Sequence, residues 1–402
     1  MSAEFLAPRL RRVRPSPTAA ISDQVRALSA EGTDVINLGE GELDFDTPEH
    51  IKQAGIDAIV QGDTKYTAVA GTAALKQAII SKFNRENRIS YRPEEVIAGS
   101  GAKQLIFNAL LATVSAGDEV IIPAPYWVSY PDMVTLAEGE SKKVACLETH
   151  GWKLQPEDLA AAITPKTRWV ILNSPNNPTG AVYSADELRA LAAVLLDHPH
   201  VLVMADDIYE QICFVPGTFA TLAEAEPRLK DRLLTINGVS KGYSMTGWRL
   251  GYAGGPAWLI SAMQILQSQS TSNPSSISQA ATVAALEQGS EFITEWIDIL
   301  TRRRTLIMDC INDVDGLSAQ VPPGAFYVFA NCQGMTGKTT PSGDIIHTDE
   351  DFAAYLLKSA HVATLQGSAF GAPGYLRIAY AIDDSRLQEA CTRISRACRE
   401  LR

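Results

Sequence analysis

Short, near-continuous apolar runs rich in β-branched residues recur through the first two-thirds of the chain, at 120–122, 169–172, 201–204 and 233–236. Runs of this kind mark strands buried on both faces. Longer stretches of helical pattern, such as Ala185–Leu196, lie between them. The alternation predicts βαβ units and a mostly parallel sheet. After about residue 255 the pattern changes. Helical segments are expected from 258 to about 304. A short α+β pattern follows, with strands at 325–329 and 376–380 and helices at 351–359 and 386–401. The stretch 331–348, rich in Gly, Thr and Ser, reads as a surface loop. The expected architecture is α/β, with a large central domain over 49–300 and a smaller α+β domain over 301–402. Residues 1–48 would supply an N-terminal arm and part of the small domain. No internal repeat or low-complexity segment interrupts this plan.

Composition narrows the class. The chain has 402 residues, 46% hydrophobic and 20% charged, which excludes disorder, collagen and coiled coil as the main architecture. The net charge of −11 argues against a bulk nucleic-acid binder. Its one basic cluster, Arg9, Arg11, Arg12 and Arg14, reads as a solvated arm. Six cysteines without a C-x-x-C pair read as free thiols of a reducing compartment. The first residues lack a signal peptide's apolar core, and no apolar stretch reaches membrane-spanning length. Cytoplasmic residence, with no membrane and no nucleic-acid partner, is the expectation.

Ligands of open parallel sheets bind beyond the carboxyl ends of the strands. The run at 201–204 leads into Asp206, Asp207 and Tyr209, and that at 169–172 into Asn173-Ser174-Pro175-Asn176-Asn177-Pro178-Thr179-Gly180. The run at 233–236 leads into Asn237-Gly238-Val239-Ser240-Lys241-Gly242, and that at 120–122 into Pro125-Tyr126-Trp127. Any one of these alone is an ordinary polar turn. Together they offer a carboxylate, a phenol, an amide, a lysine and an indole to one site. Gly99-Ser100-Gly101-Ala102-Lys103-Gln104 opens a helical pattern. Free backbone N–H groups and the positive dipole end at such a turn favour a phosphate, and Arg249 could bind it bidentately. A lysine held in a cleft, as Lys241 would be, can form a Schiff base with an aldehyde. Arg377, inside an apolar strand, is costly unless paired. It reads as a structural ion pair or as a clamp for a substrate carboxylate.

A rival motif overlaps the lysine. Gly238-Val239-Ser240-Lys241-Gly242 fits the G-x-S-x-G elbow of α/β-hydrolases, with His347 or His361 downstream and Asp298 or Asp315 between. Against it, Ser244-Met245-Thr246-Gly247 continues poorly as a helix. His198 and His200 flank Pro199 without further ligands at metal spacing, so no metal is expected.

The combination of Ser174-Pro175-Asn176-Asn177-Pro178-Thr179-Gly180, Asp206-Asp207-Ile208-Tyr209, Ser240-Lys241 and Gly247-Trp248-Arg249-Leu250-Gly251 resembles the class I aminotransferases of fold type I, which use pyridoxal 5′-phosphate. The likeness runs from Gly39-Glu40-Gly41 to Arg377. Ser100-Gly101-Ala102-Lys103-Gln104 and Pro125-Tyr126-Trp127-Val128-Ser129-Tyr130 are similar to the bacterial I-beta aspartate aminotransferase subgroup. The resemblance implies that Lys241 is the Schiff-base lysine and proton shuttle. It implies that Asp206 pairs with the pyridinium nitrogen and keeps the ring an electron acceptor. Tyr209 and Asn177 would bond the ring's phenolic oxygen, and Trp127 would stack on the ring. Ser240, Arg249 and the N–H groups of Gly101 and Ala102 would hold the phosphate. Tyr66 of a neighbouring subunit would reach it too, making a homodimer with shared sites. Arg377 and Asn177, beside Gly41, would bind the substrate α-carboxylate, and cis peptides would precede Pro125 and Pro178. One departure is Gly238, where many relatives have serine, so one phosphate hydrogen bond is lost.

The resemblance also implies a ping-pong transamination between amino and 2-oxo acids: L-aspartate and 2-oxoglutarate to oxaloacetate and L-glutamate. Residues 267–276 contain no arginine for the distal carboxylate. Lys103 and Arg14 are the expected alternatives, with Ser270 or Thr271 lending a hydroxyl. The runner-up is an aromatic or prephenate aminotransferase. A regulator that keeps the fold as a sensor would need a DNA-binding domain ahead of Asp34, where the chain is too short for one.

Overall fold

The computed structural model describes residues 5–288 and 291–402. Its central sheet has seven strands: β1 (Val96–Gly99), β2 (Glu119–Ala124), β3 (Glu140–Ala145), β4 (Thr167–Asn173), β5 (Leu202–Asp206), β6 (Leu233–Gly238) and β7 (Gly251–Gly254). Their spatial order is β1-β7-β6-β5-β4-β2-β3. Only β7 runs antiparallel to its neighbours, so the sheet is mostly parallel, as expected. All four expected apolar runs lie in its interior strands, apart from Val201, which lies one residue ahead of β5. The edge strand β3 and the short β1 and β7 carry weaker apolar signals.

Alternation decides which helices cover which face. In β4, Val170 and Leu172 join one buried cluster with Leu75, Phe83, Leu188, Leu191 and Leu195. Trp169 and Ile171 point the other way, into a cluster with Leu105, Ile106, Leu259 and Met263. Helices therefore cover both faces of the sheet. Trp169 is fully buried, and its indole N–H donates to Thr113 Oγ1 at 2.8 Å. Burying so large a side chain stabilises by about 3 kcal/mol. Helix Ala185–Leu196 has the expected bounds because Ser184 and Glu187 close a capping box at its start.

A third cluster surrounds a three-stranded antiparallel sheet of Leu365–Gln366, Tyr375–Ala379 and Tyr327–Asn331. Ile36–Asn37 pairs in parallel with Val362–Ala363, so residues from both ends of the chain meet there. Arg386 and Arg393 grip Asp34 at 2.7 and 2.6 Å and hold its carboxyl well below the usual range. The expected strands at 325–329 and 376–380 are displaced by two residues and one. Helix Asp349–Tyr355 continues as a π-turn, Leu356–Ala360, and the last helix is Asp384–Arg399. Asn331 still belongs to the strand, and residues 332–348 form the expected loop, holding one 3₁₀ turn, Gln333–Met335. The helical expectation over 258–304 resolves into Ala257–Ser268, Ser276–Glu287 and Glu291–Asn312. Gly289 and Ser290 within it, and Met1–Glu4 of the arm, lie outside the described residues.

Candidate active site

The carboxyl ends of β4, β5 and β6 open into a cavity of about 510 Å³. Lys241, in the turn after β6, lines it. Its Nζ donates to the Gly41 carbonyl and lies 5.9 Å from the centre of the Tyr209 ring. Burial lowers the amine pKa to about 8, helped by the charge of Arg377 and opposed by Glu42. A lysine so placed is partly neutral, and so nucleophilic, near neutral pH.

Asp206 ends β5 and is buried. Tyr130 Oη donates to its Oδ2 at 2.5 Å, and the Ile208 N–H to its Oδ1 at 3.4 Å. Burial pushes its pKa up to about 6 against those hydrogen bonds. A cation arriving on its cavity side would restore the charged form. Tyr209 Oη is 2.7 Å from Tyr327 Oη, and both phenols are buried. Burial raises both pKa values, so each ring stays protonated.

Arg377, in strand Tyr375–Ala379, is 1% exposed. Nη1 donates to Asn177 Oδ1 at 3.1 Å and Nη2 to the Gly39 carbonyl at 2.5 Å. Nε has no partner. The guanidinium lies over the Tyr327 and Phe370 rings, at 4.6 and 5.1 Å. No carboxylate pairs with it among the described residues. Of the two sequence-based alternatives, the structural ion pair is therefore absent. A buried cation without a counter-charge is costly, and an anionic ligand in this cavity would supply one.

Close backbone approach builds another part of the cavity wall. Gly101, at φ +89, precedes helix Ala102–Thr113, and a Cβ there would lie 2.6 Å from Arg249 Nη2. A Cβ on Gly251 would sit 2.2 Å from the Ala102 nitrogen. Glycine at both positions lets β7 and Arg249 crowd the helix N-terminus, whose first N–H groups have no intrahelical acceptor. Ser240 and Arg249 line the cavity beside them. Gly238 packs the same way: a side chain would meet Gly251 Cα at 3.1 Å and the Leu250 carbonyl at 3.2 Å. A serine there would need that backbone to give by a few tenths of an ångström. This anion cradle, the carboxylate of Asp206 and the amine of Lys241 fit the phosphate, ring nitrogen and aldehyde of pyridoxal 5′-phosphate.

Trp127 lines the cavity, edge-on to Tyr130 at 5.3 Å, with Lys103 Nζ 4.8 Å from its ring centre. Burial and the charge of Arg249 lower the Lys103 pKa. Peptides before Pro125 and Pro178 are cis, as is the one before Pro175.

Several expected residues are not brought in. Tyr66 is 92% exposed and away from the cavity of its own chain. Arg14 is exposed on the arm; Ser16, Thr18, Ser22 and Arg26 reach the cavity instead, along helix Pro17–Ala30 and its cap. Ser270 and Thr271 are exposed, and Thr271 Oγ1 accepts from Gln104 Nε2. No histidine lines the cavity, nor does Asp298 or Asp315, which removes the hydrolase triad. Sequence reasoning gave no role to Tyr130, Tyr327, Asn173 or Arg26. Tyr327 sits in an apolar strand like any core aromatic, so nothing in the sequence marks it.

A doubly covered α/β sheet with a buried lysine, a buried carboxylate and an anion cradle around one cavity defines a fold-type-I transferase. The chain belongs to aminotransferase class I and II, whose family model matches residues 33–394. It is 54% identical over 395 residues to an aspartate aminotransferase of Rhizobium meliloti, covering 98% of this chain and 96% of that one. It is 53% identical to an aspartate/prephenate aminotransferase of Cereibacter sphaeroides, covering 98% of each. A crystal structure of the aspartate aminotransferase from Rhizobium meliloti superposes with a TM-score of 0.95 at 53% identity, covering 99% of both chains.

Proposed function

We propose that this aminotransferase uses pyridoxal 5′-phosphate to move the amino group of L-aspartate to 2-oxoglutarate in two half-reactions. The observation that carries the reading is that one cavity is lined by the buried, carboxylate-free Arg377, by the anion cradle and by Lys241. The cofactor, when bound, supplies an electron sink that stabilises negative charge at the substrate α-carbon. The chain does the rest. Ser240, Arg249 and the N–H groups at Gly101 and Ala102 hold the phosphate. Asp206, supported by Tyr130, keeps the ring nitrogen protonated. Tyr209 and Asn177 bond the phenolic oxygen, and Trp127 covers the ring. Lys241 Nζ removes the α-proton and returns it, because its lowered pKa lets it hold and release a proton near neutrality. Arg377 and Asn177, beside Gly41, fix the α-carboxylate. Lys103 binds the distal carboxylate, with Arg14 of the arm closing over it or Arg26 serving in its place.

Two further parts belong to the reading. Helix Glu49–Val60 exposes Ile56, Ile59 and Val60, and the exposed Tyr66 follows six residues later. Exposed apolar side chains gathered this way mark a partner surface. We take it as the face of a homodimer in which Tyr66 reaches the neighbouring phosphate. Residues 49–300 and 301–402 with the arm are taken as the two domains. The six cysteines are free, and no helix among the described residues is long and apolar enough to cross a membrane, which agrees with cytoplasmic residence.

A second reading, transfer to prephenate or an aromatic 2-oxo acid, is favoured by the Cereibacter relative and by the Trp127–Tyr130 wall. Steady-state kinetics of Lys103→Ala separate the substrate assignments. Loss of a charge-assisted bond predicts a fall of roughly tenfold to a hundredfold in kcat/KM for aspartate, with little change for an aromatic donor. Equal kcat/KM for aspartate in variant and parent would rule out Lys103 as the distal carboxylate site.

A further inference from the structure

Tyr327 touches three parts of the site at once. Its hydroxyl lies 2.7 Å from Tyr209 Oη. Its ring lies under the Arg377 guanidinium at 4.6 Å. A Cβ on Gly41 would be 2.5 Å from its hydroxyl, so the segment whose carbonyl holds Lys241 Nζ is packed against it. The strand fixes this placement: Tyr327 pairs with Ala379, two residues from Arg377, in the antiparallel sheet. The side chain is fully buried.

Resting on the cofactor reading above, we propose that Tyr327 is a positioning residue that donates its hydroxyl proton to Tyr209 and so couples the α-carboxylate subsite at Arg377 to the cofactor's phenolic oxygen. The two hydroxyls share one hydrogen bond, and either can donate. Burial raises the pKa of both phenols, that of Tyr327 less, and the Arg377 guanidinium lies directly over the Tyr327 ring, which makes Tyr327 the better donor. With Tyr327 donating, the Tyr209 proton is free to point into the cavity. A donor into its oxygen also polarises its O–H and strengthens its next bond. A carboxylate on Arg377 offsets the positive field on Tyr327 and weakens the chain of donors. Substrate binding is thereby felt at the phenolic oxygen without direct contact. Asn177, which accepts from Arg377 Nη1, is a second link between that subsite and the phenolic oxygen, and the Tyr209→Phe background separates it from the route through Tyr327.

The test is a pH titration of the cofactor's visible band in the holoenzyme, for the parent, Tyr327→Phe, Tyr209→Phe and the double variant. Phenylalanine keeps the ring on which Arg377 lies, and circular dichroism checks that the fold is retained. Tyr327→Phe is expected to raise the band's midpoint by about half a pH unit, roughly threefold in proton affinity. In the Tyr209→Phe background it is expected to shift nothing. Succinate, an unreactive dicarboxylate, is expected to raise the midpoint in the parent and less so in Tyr327→Phe. No shift, or the same shift in both backgrounds, would overturn the inference. A parent protein with no visible band would overturn the cofactor reading and the inference with it.

Discussion

Single side chains here are tuned by burial more than by partners. Lys241 is driven down to about 8 and Asp206 up to about 6, each chiefly by loss of water. The signs make a prediction. Capture of an aldehyde needs the neutral amine, whose fraction falls tenfold per unit below the pKa. Uptake of pyridoxal phosphate by the cofactor-free protein should therefore rise with pH and level off above about 8, measured by stopped-flow absorbance. A rate still climbing nearly tenfold between about pH 8 and pH 9 would mean a lysine at its ordinary pKa. At this scale the sequence was most informative where a residue type is rare in its place. Arg377 in an apolar strand and Lys241 beside glycines stand out as letters. Tyr327 and Tyr130 do not, because an aromatic in a core segment is the commonest use of that residue. Their roles depend on where a hydroxyl points, which needs the third dimension.

At the scale of elements, the site is made by strand ends and by glycines that let backbones touch. The four apolar runs were legible because interior parallel strands are apolar on both faces. The edge strand β3 and the short β1 and β7 were not, being half-exposed or too brief. Gly251 shows what the pattern hid: in the sequence it only closes the Gly247-Trp248-Arg249-Leu250-Gly251 motif, yet it lies in β7 against the first helical nitrogen of the anion cradle. Gly251→Ala should push the helix start away, at a cost of about 1–3 kcal/mol from overpacking, read as a lowered Tm. The same variant should bind pyridoxal phosphate more weakly, since the helix N–H groups leave their place. Unchanged Tm and cofactor affinity would show that the close approach is not what holds the cradle. Gly101, at φ +89, is constrained in the same element by both its backbone and Arg249.

For the whole molecule, the residues that one chain does not bring together are as informative as those it does. Tyr66, Ser270 and Thr271 are exposed, and Arg14 sits on an exposed arm. The sequence pattern could not separate contacts within a chain from contacts between two, since motif spacing carries no such label. If Tyr66 completes the neighbouring site, Lys241→Ala and Tyr66→Ala variants should complement each other. After unfolding and refolding as a one-to-one mixture, about a quarter of the sites would be intact, from random pairing in a two-fold dimer. Activity no greater than the mean of the separate variants would place Tyr66 outside the site.

The most direct measurement is the visible absorption spectrum of the purified protein after loading with pyridoxal phosphate, recorded before and after addition of L-aspartate. The account predicts a yellow, pH-dependent band that aspartate bleaches and that oxaloacetate or 2-oxoglutarate restores. It also predicts that Lys241→Ala forms no such band. A band untouched by aspartate but bleached by an aromatic amino acid would contradict the proposed substrate. A protein that stays colourless would contradict the role given to Lys241.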